Sequence, residues 1–220
     1  MTSSQAADRV RTAQILGTAL ALLKVTSIEA SFAIIVLTGL GTLLDSFAVE
    51  SLGIGTRIVM WIASTIVQCE LTRRLLLRAG YPDVRRRYGP MLAIGIATGI
   101  PLIIGFILLV LPGLYLLARW SISDVVLLAE NTGGAEAIGT SWDRTRSHVP
   151  PITAALILAY VPPFILGSIL MRLVQPFGLA LGSAVSNLTS QIAVACGWYV
   201  TVAIHHALRP PTSDLERIFA

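Results

Sequence analysis

Residues 91–118 read MLAIGIATGIPLIIGFILLVLPGLYLLA, and these 28 positions contain no charged side chain. About 20 consecutive apolar residues suffice to cross the hydrocarbon core of a bilayer. A run this long cannot be the half-wetted face of a soluble domain. Pro112-Gly113 falls inside it, and that pair predicts a sharp turn: proline pre-sets turn entry, and glycine tolerates dihedrals closed to other residues. The run therefore divides into two spans, about Met91–Leu111 and Leu114–Glu130.

Working outward, the rest of the chain repeats the pattern. Only 13% of the 220 residues are charged, against 55% hydrophobic. Soluble domains average about 25% charged, so a water-soluble coat is missing. Further apolar segments lie at about Ile28–Phe47, Ile54–Leu77, Ile152–Val174 and Gly178–His205, with Pro162-Pro163 inside the fifth. Asp45 and Glu50 mark the far end of the first. The fold class expected is all-α: a single membrane domain of six transmembrane helices. Two amphipathic segments, residues 10–24 and 135–147, are expected to lie in the interface. In the first, Val10, Ala13, Leu16, Leu20 and Leu23 recur at helical spacing; the alternative is a cytoplasmic extension of the first span. In the second, Ala135, Ile138 and Trp142 share a face, and Pro150-Pro151 ends the helix. Trp142 and Arg144 read as interfacial anchors, since an indole is apolar with one N–H that wants water. Each amphipathic segment precedes a helical hairpin, a faint parallel repeat. Arg9 and Arg11 before Ile15–Leu23 imitate a signal peptide, but Lys24 interrupts the run and a further apolar segment follows, so the segment is read as retained.

Every basic residue except Lys24 is arginine, and the net charge is +4. The arginines cluster between apolar runs, which membrane topology requires and nucleic-acid binding does not explain. One side would carry Arg9, Arg11, Lys24, Arg73, Arg74, Arg78, Arg85, Arg86, Arg87, Arg144, Arg146, Arg209 and Arg217; the other only Arg57 and Arg172. The positive-inside rule then puts both termini in the cytoplasm.

Within the spans the costly residues stand out. Arg119 sits about 10 Å along its helix from Pro112, where a charge costs about 3 kcal/mol on insertion scales. It reads either as helix-tying glue or as an anion or lipid-phosphate site. Asp124 is about 140° around the same helix, so the two do not pair; Ser121, Arg57 or a polar residue of the sixth span are the expected donors to Asp124. Asn187 and Gln191 are polar at i, i+4 on the last span. Gly95-x-x-x-Gly99, and Gly178, Gly182, Ser186 and Ser190, form small-residue ladders that permit close helix approach, within the chain or to a partner. Glu70 is placed to pair with Arg74, and Glu29 with Lys24. His205 and His206 point to different faces and lack a converging ligand. Cys69 and Cys196 stand alone in apolar runs. No metal spacing, cofactor motif or nucleophile–base grouping is present.

Leu111-Pro112-Gly113, Arg119-Trp120-Ser121, Glu130 and Ala137-x-x-x-Ser141-Trp142 together resemble a signature of the bacterial membrane-domain family found fused to some glycerophosphoryl diester phosphodiesterases and also as stand-alone proteins. Asp143 and His148 depart from it, standing where arginine or aromatic residues are common. The resemblance implies an integral inner-membrane protein and no phosphodiesterase site, since that chemistry belongs to the fused soluble domain. The expected role is a non-enzymatic accessory or scaffold subunit that binds membrane lipids, other membrane subunits or a second copy. The alternative is a transporter or lipid-handling protein with Arg119 and Asp124 lining a central cavity.

Overall fold

The computed structural model describes residues 11–47, 53–81 and 83–209. Arg9, Val10, Glu50, Pro210, Pro211 and Arg217 lie outside them. The described residues are all-helical: α1 (Thr12–Val25), α2 (Ser27–Phe47), α3 (Gly53–Arg78), α4 (Tyr88–Leu108), α5 (Val110–Trp120), α6 (Ser123–Ala129), α7 (Gly134–Thr145), α8 (Val149–Val174) and α9 (Leu179–Ala207). Five segments are long and apolar enough to cross a bilayer: Ser27–Ser46, Tyr88–Leu108, Val110–Ala129, Gly134–Phe177 and Ala180–Ala207. Large apolar side chains such as Ile28 (81% exposed), Ile107 (78%) and Phe164 (73%) coat the outside of the bundle. Water penalises such a coat, whereas hydrocarbon does not. The protein is therefore a multi-pass membrane protein by its helices and its surface. The 26 residues of α3 are long enough to cross, but Arg57, Gln68, Glu70, Arg73 and Arg74 lower their hydropathy, and α3 is not among the five.

The spanning segments alternate in direction, with α1 running on into α2 and α5 and α6 sharing one span. Arg78 at the end of α3 bonds Glu29 at the start of α2 and the Val25 carbonyl at the end of α1. Asp45 near the end of α2 accepts from Asn187 Nδ2 near the start of α9 at 2.8 Å, and Thr26 meets the Tyr199 hydroxyl at 2.6 Å. Arg87 before α4 bonds the Thr132 carbonyl after α6, and Thr12 Oγ1 donates to the Pro151 carbonyl at the start of α8 at 3.2 Å. One end of the bundle thus gathers α1, the end of α3, the starts of α4 and α8, α7 and the end of α9. That is the arginine-rich end. The core sits there too, built from Ile15, Leu75, Ile122, Leu127, Leu128, Ile152 and Ile204, all under 2% exposed. The far half of the bundle, including Phe164 to Leu173 on α8, is largely open.

Several local expectations are corrected. The turn between the third and fourth spans is not at Pro112-Gly113. The extended residue is Leu109 (φ −160°, ψ 143°), and both Pro112 and Gly113 are inside α5. Proline is tolerated in the first turn of a helix because its missing N–H has no partner there anyway. Gly113 serves packing: a Cβ there would lie 2.6 Å from the Phe106 ring, and one on Gly105 would lie 3.2 Å from the Gly113 Cα. The helix ladder runs nearly unbroken from α1 into α2 through Thr26, as the extension alternative expects. The buried residues of α1 are Ile15 and Ala19, while Leu20 is 59% exposed. On α7 the buried stripe is Ala137, Ser141 and Thr145, and Ala135 is exposed. Pro150-Pro151 opens α8 rather than merely ending α7.

Candidate functional site

Two polar assemblies occupy the arginine-rich half. The first is built on a break in a helix. The turn Ser121-Ile122 separates α5 from α6, and three successive carbonyls at the break each accept a hydroxyl. Ser121 Oγ donates to Ala118 O at 2.9 Å and Ser123 Oγ to Trp120 O at 2.9 Å. Arg119 O accepts from Ser141 Oγ at 2.8 Å and from Thr145 Oγ1 at 3.2 Å. In hydrocarbon an unmet carbonyl costs several kcal/mol, so the small polar stripe of α7 is what lets α5 break here. The Arg119 side chain is 2% exposed. Its guanidinium carbon lies 4.1 Å from the Trp142 ring centroid and 5.8 Å from that of Tyr115. Its Nε and Nη1 have no hydrogen-bond partner among the described residues. The indole thus faces a buried cation rather than the interface alone.

Asp124 lies beyond the break and does not meet Arg119. Its Oδ2 accepts from Gln68 Nε2 of α3 at 2.9 Å, and its Oδ1 has no partner. The donor is none of the three expected: Gln68 takes the place of Ser121, Arg57 and the sixth span. Cavities of 270, 510 and 140 Å³ open on the bundle, and their linings include neither Arg119 nor Asp124.

The second assembly had no counterpart in the sequence reading. Glu130, past the end of α6, is gripped by both Arg144 Nη atoms, Nη2 at 2.9 Å from Oε2. His205 Nε2 meets Glu130 Oε1 at 3.3 Å, and His205 Nδ1 meets the Tyr81 hydroxyl at 3.3 Å. The Arg209 guanidinium stands 4.6 Å over the Tyr81 ring. His205 is 2% and Tyr81 7% exposed, while His206 is exposed. The His205 hydrogen bond and Arg144 together hold the Glu130 carboxyl at about 2, well below the usual carboxylate value, against the opposing effect of burial. Burial pushes the Tyr81 phenol up, so it keeps its proton at neutral pH. Arg144 is thereby a clamp on Glu130, more than a surface anchor.

The other expected sites fall out as follows. Glu70 pairs with Arg74 at 3.0 Å as expected, and also with Arg73 at 2.8 Å and Arg86 at 3.2 Å. Glu29 pairs with Arg78, not Lys24. Asn187 packs on Gly41, where a Cβ would lie 2.9 Å from its Cγ, and Gln191 is buried with Oε1 unpartnered. Of the ladder glycines, a Cβ on Gly95 would lie 3.0 Å from the Trp61 ring and one on Gly182 would lie 3.2 Å from Met171, but one on Gly99 or Gly178 would meet no described residue within 4 Å. Gly178 has φ 113° and caps α9, so its role is conformational. Ser186 is exposed. Closer approaches of α8 and α9 come from residues outside the ladder: a Cβ on Gly167 would lie 2.4 Å from Thr189 Oγ1 and one on Gly197 would lie 2.1 Å from the Tyr160 hydroxyl. Among the described residues no three His, Cys, Asp or Glu side chains converge as a metal set. Comparison with protein-family models, with curated proteins and with solved structures finds no match to this chain.

Proposed function

We propose that this chain is a bacterial inner-membrane protein of six spans with both termini in the cytoplasm, acting as a non-enzymatic accessory or scaffold subunit. In this reading α3 is the sixth crossing. The Arg78–Glu29 pair supports it: α2 crosses, and the end of α3 returns to the level where α2 began. The arginine-rich end then faces the cytoplasm, as the positive-inside rule requires.

The observation that carries the scaffold role is the sealing of Arg119. A cation that is 2% exposed, covered by Trp142, and whose carbonyl anchors α7 works as a latch between helices. An anion site needs an open approach. The far half of the bundle offers lipid-facing grooves instead. One, lined by Thr38, Gly39, Thr42, Ser46, Ala184 and Leu188, has a volume of 510 Å³. Small residues there suit partner helices or lipid chains. The residues behind the resemblance also assemble in space: Ser141 and Trp142 on Arg119, Glu130 on Arg144, Gly113 on Gly105. Membership in the phosphodiesterase-associated membrane-domain family rests on the motif resemblance alone.

A second reading, transport or lipid handling through Arg119 and Asp124, draws on their unpartnered buried atoms, which water or a substrate could satisfy. One experiment separates the two. The protein is purified in a gentle detergent and its companions identified by mass spectrometry, beside liposome flux assays of Arg119→Ala and Asp124→Asn. The scaffold account expects a stoichiometric membrane partner or a stable homo-oligomer, and no solute or lipid movement that either substitution abolishes. A lone monomer whose flux disappears in both variants overturns it.

A further inference from the structure

A pocket of about 270 Å³ opens between α1, the end of α3 and the end of α9. Its walls are mostly aliphatic, and Ala21, Leu22, Val25, Leu76 and Val202 supply them. Its polar end is Tyr81 with His205, two side chains that are themselves more than nine-tenths buried. No Asp or Glu among the described residues lines it. The Glu130 carboxylate stands behind His205 and is occupied by Arg144. Arg209 lies over the Tyr81 ring and has no carboxylate partner among the described residues. Arg78 bonds the Val25 carbonyl in the wall, though Glu29 already balances its charge.

We propose that this pocket binds a single-chain amphiphile with an anionic oxygen head, its chain along the α1 and α9 walls and its head at Tyr81 beneath Arg209. With Glu130 accepting from Nε2–H, His205 Nδ1 is the acceptor of the Tyr81 hydroxyl hydrogen, so the head-group oxygens are met by the Arg209 guanidinium over the Tyr81 ring. Charge selection comes from Arg209. The head can be a carboxylate or a phosphate monoester, since both present anionic oxygens to a guanidinium. The inference rests on the membrane reading above, but not on the scaffold role.

The test uses the full chain in phosphatidylcholine nanodiscs with a diazirine-bearing palmitate. After photolysis, labelled peptides are mapped by mass spectrometry, with oleate, dodecyl phosphate and oleyl alcohol as competitors. Labelling is expected in residues 18–25 and 202–206. Oleate or dodecyl phosphate should displace it at a concentration at least tenfold lower than oleyl alcohol, and the stronger of the two names the head. Arg209→Gln, at an exposed position, should reduce labelling at least fivefold, and Ala21→Trp should block the pocket without disturbing elution as a folded species. Labels spread evenly over lipid-facing helices, equal displacement by the alcohol, or unchanged labelling in Arg209→Gln overturns the site. Failure of the protein to insert at all points instead to the membrane reading.

Discussion

The Arg119–Trp142 contact yields a double-mutant cycle whose outcome the structure sets. A desolvated guanidinium over an indole is worth about 2 kcal/mol, and 4.1 Å to the centroid is close contact. Trp142 is half-buried, so its truncation loses about half the roughly 3–5 kcal/mol of a fully buried ring, about 2 kcal/mol. Trp142→Ala should therefore destabilise by about 4 kcal/mol in all, because it also strips the cation of its ring. Arg119→Met keeps the length and removes the charge. It forfeits about 2 kcal/mol of cation–ring attraction but recovers about 3 kcal/mol of burial cost, so alone it should be near neutral or mildly stabilising. In the Arg119→Met background, Trp142→Ala should cost only about 2 kcal/mol, a coupling of about 2 kcal/mol. The assay is reversible denaturation in mixed micelles, followed by far-ultraviolet circular dichroism. A coupling under about 0.5 kcal/mol, or a loss above about 3 kcal/mol for Arg119→Met alone, refutes the latch, the latter by showing that the guanidinium holds a counter-ion.

Other outcomes follow from the same geometry. Gly105→Ala forces a Cβ to 3.2 Å from the Gly113 backbone and should lower stability by about 1–3 kcal/mol; Gly99→Ala, with nothing within 4 Å, should stay within about 0.5 kcal/mol, both read by thermal denaturation in detergent. Glu130, its carboxyl held at about 2, contributes stability that is fully present above its unfolded value near 4.3 and is lost as pH falls from there through about 2. Glu130→Gln should flatten that acid limb in a pH series of melting temperatures, and an unchanged limb refutes the assignment. Ser141→Ala with Thr145→Val leaves the Arg119 carbonyl without its donors. It should cost about 1–3 kcal/mol and accelerate hydrogen exchange across Ser121–Val125.

Composition was enough to read the membrane class, because charge is scarce and clustered. The Glu70–Arg74 pair also followed from helix geometry alone, whereas Arg119 and Asp124 stay apart as expected but across a break in the helix rather than around it. The faces of α1 and α7 did not. In water the largest apolar side chains mark the buried face; in hydrocarbon they gain nothing by turning inward, and small or weakly polar residues mark close packing instead. Leu20 therefore faces out while Ala19 is buried, and Ala137, Ser141 and Thr145 lie inward where Ala135 was expected. The Tyr81–His205–Glu130 assembly joins residues 124 and 75 positions apart, a meeting made by tertiary packing that no local periodicity encodes. The signal that could have hinted at it is the placement of Tyr81, Glu130 and His205 at span ends on one side of the bilayer.

Everything depends on hydrocarbon surrounding this bundle with its arginine-rich end inside the cell. In a chain whose Cys69 and Cys196 are replaced by alanine, single substitutions Arg85→Cys and Gln175→Cys probe the two ends with a membrane-impermeant maleimide on intact spheroplasts. The account predicts that Gln175→Cys labels at once and Arg85→Cys only after permeabilisation. Labelling of Arg85→Cys from outside, or recovery of the protein in the soluble fraction, contradicts it.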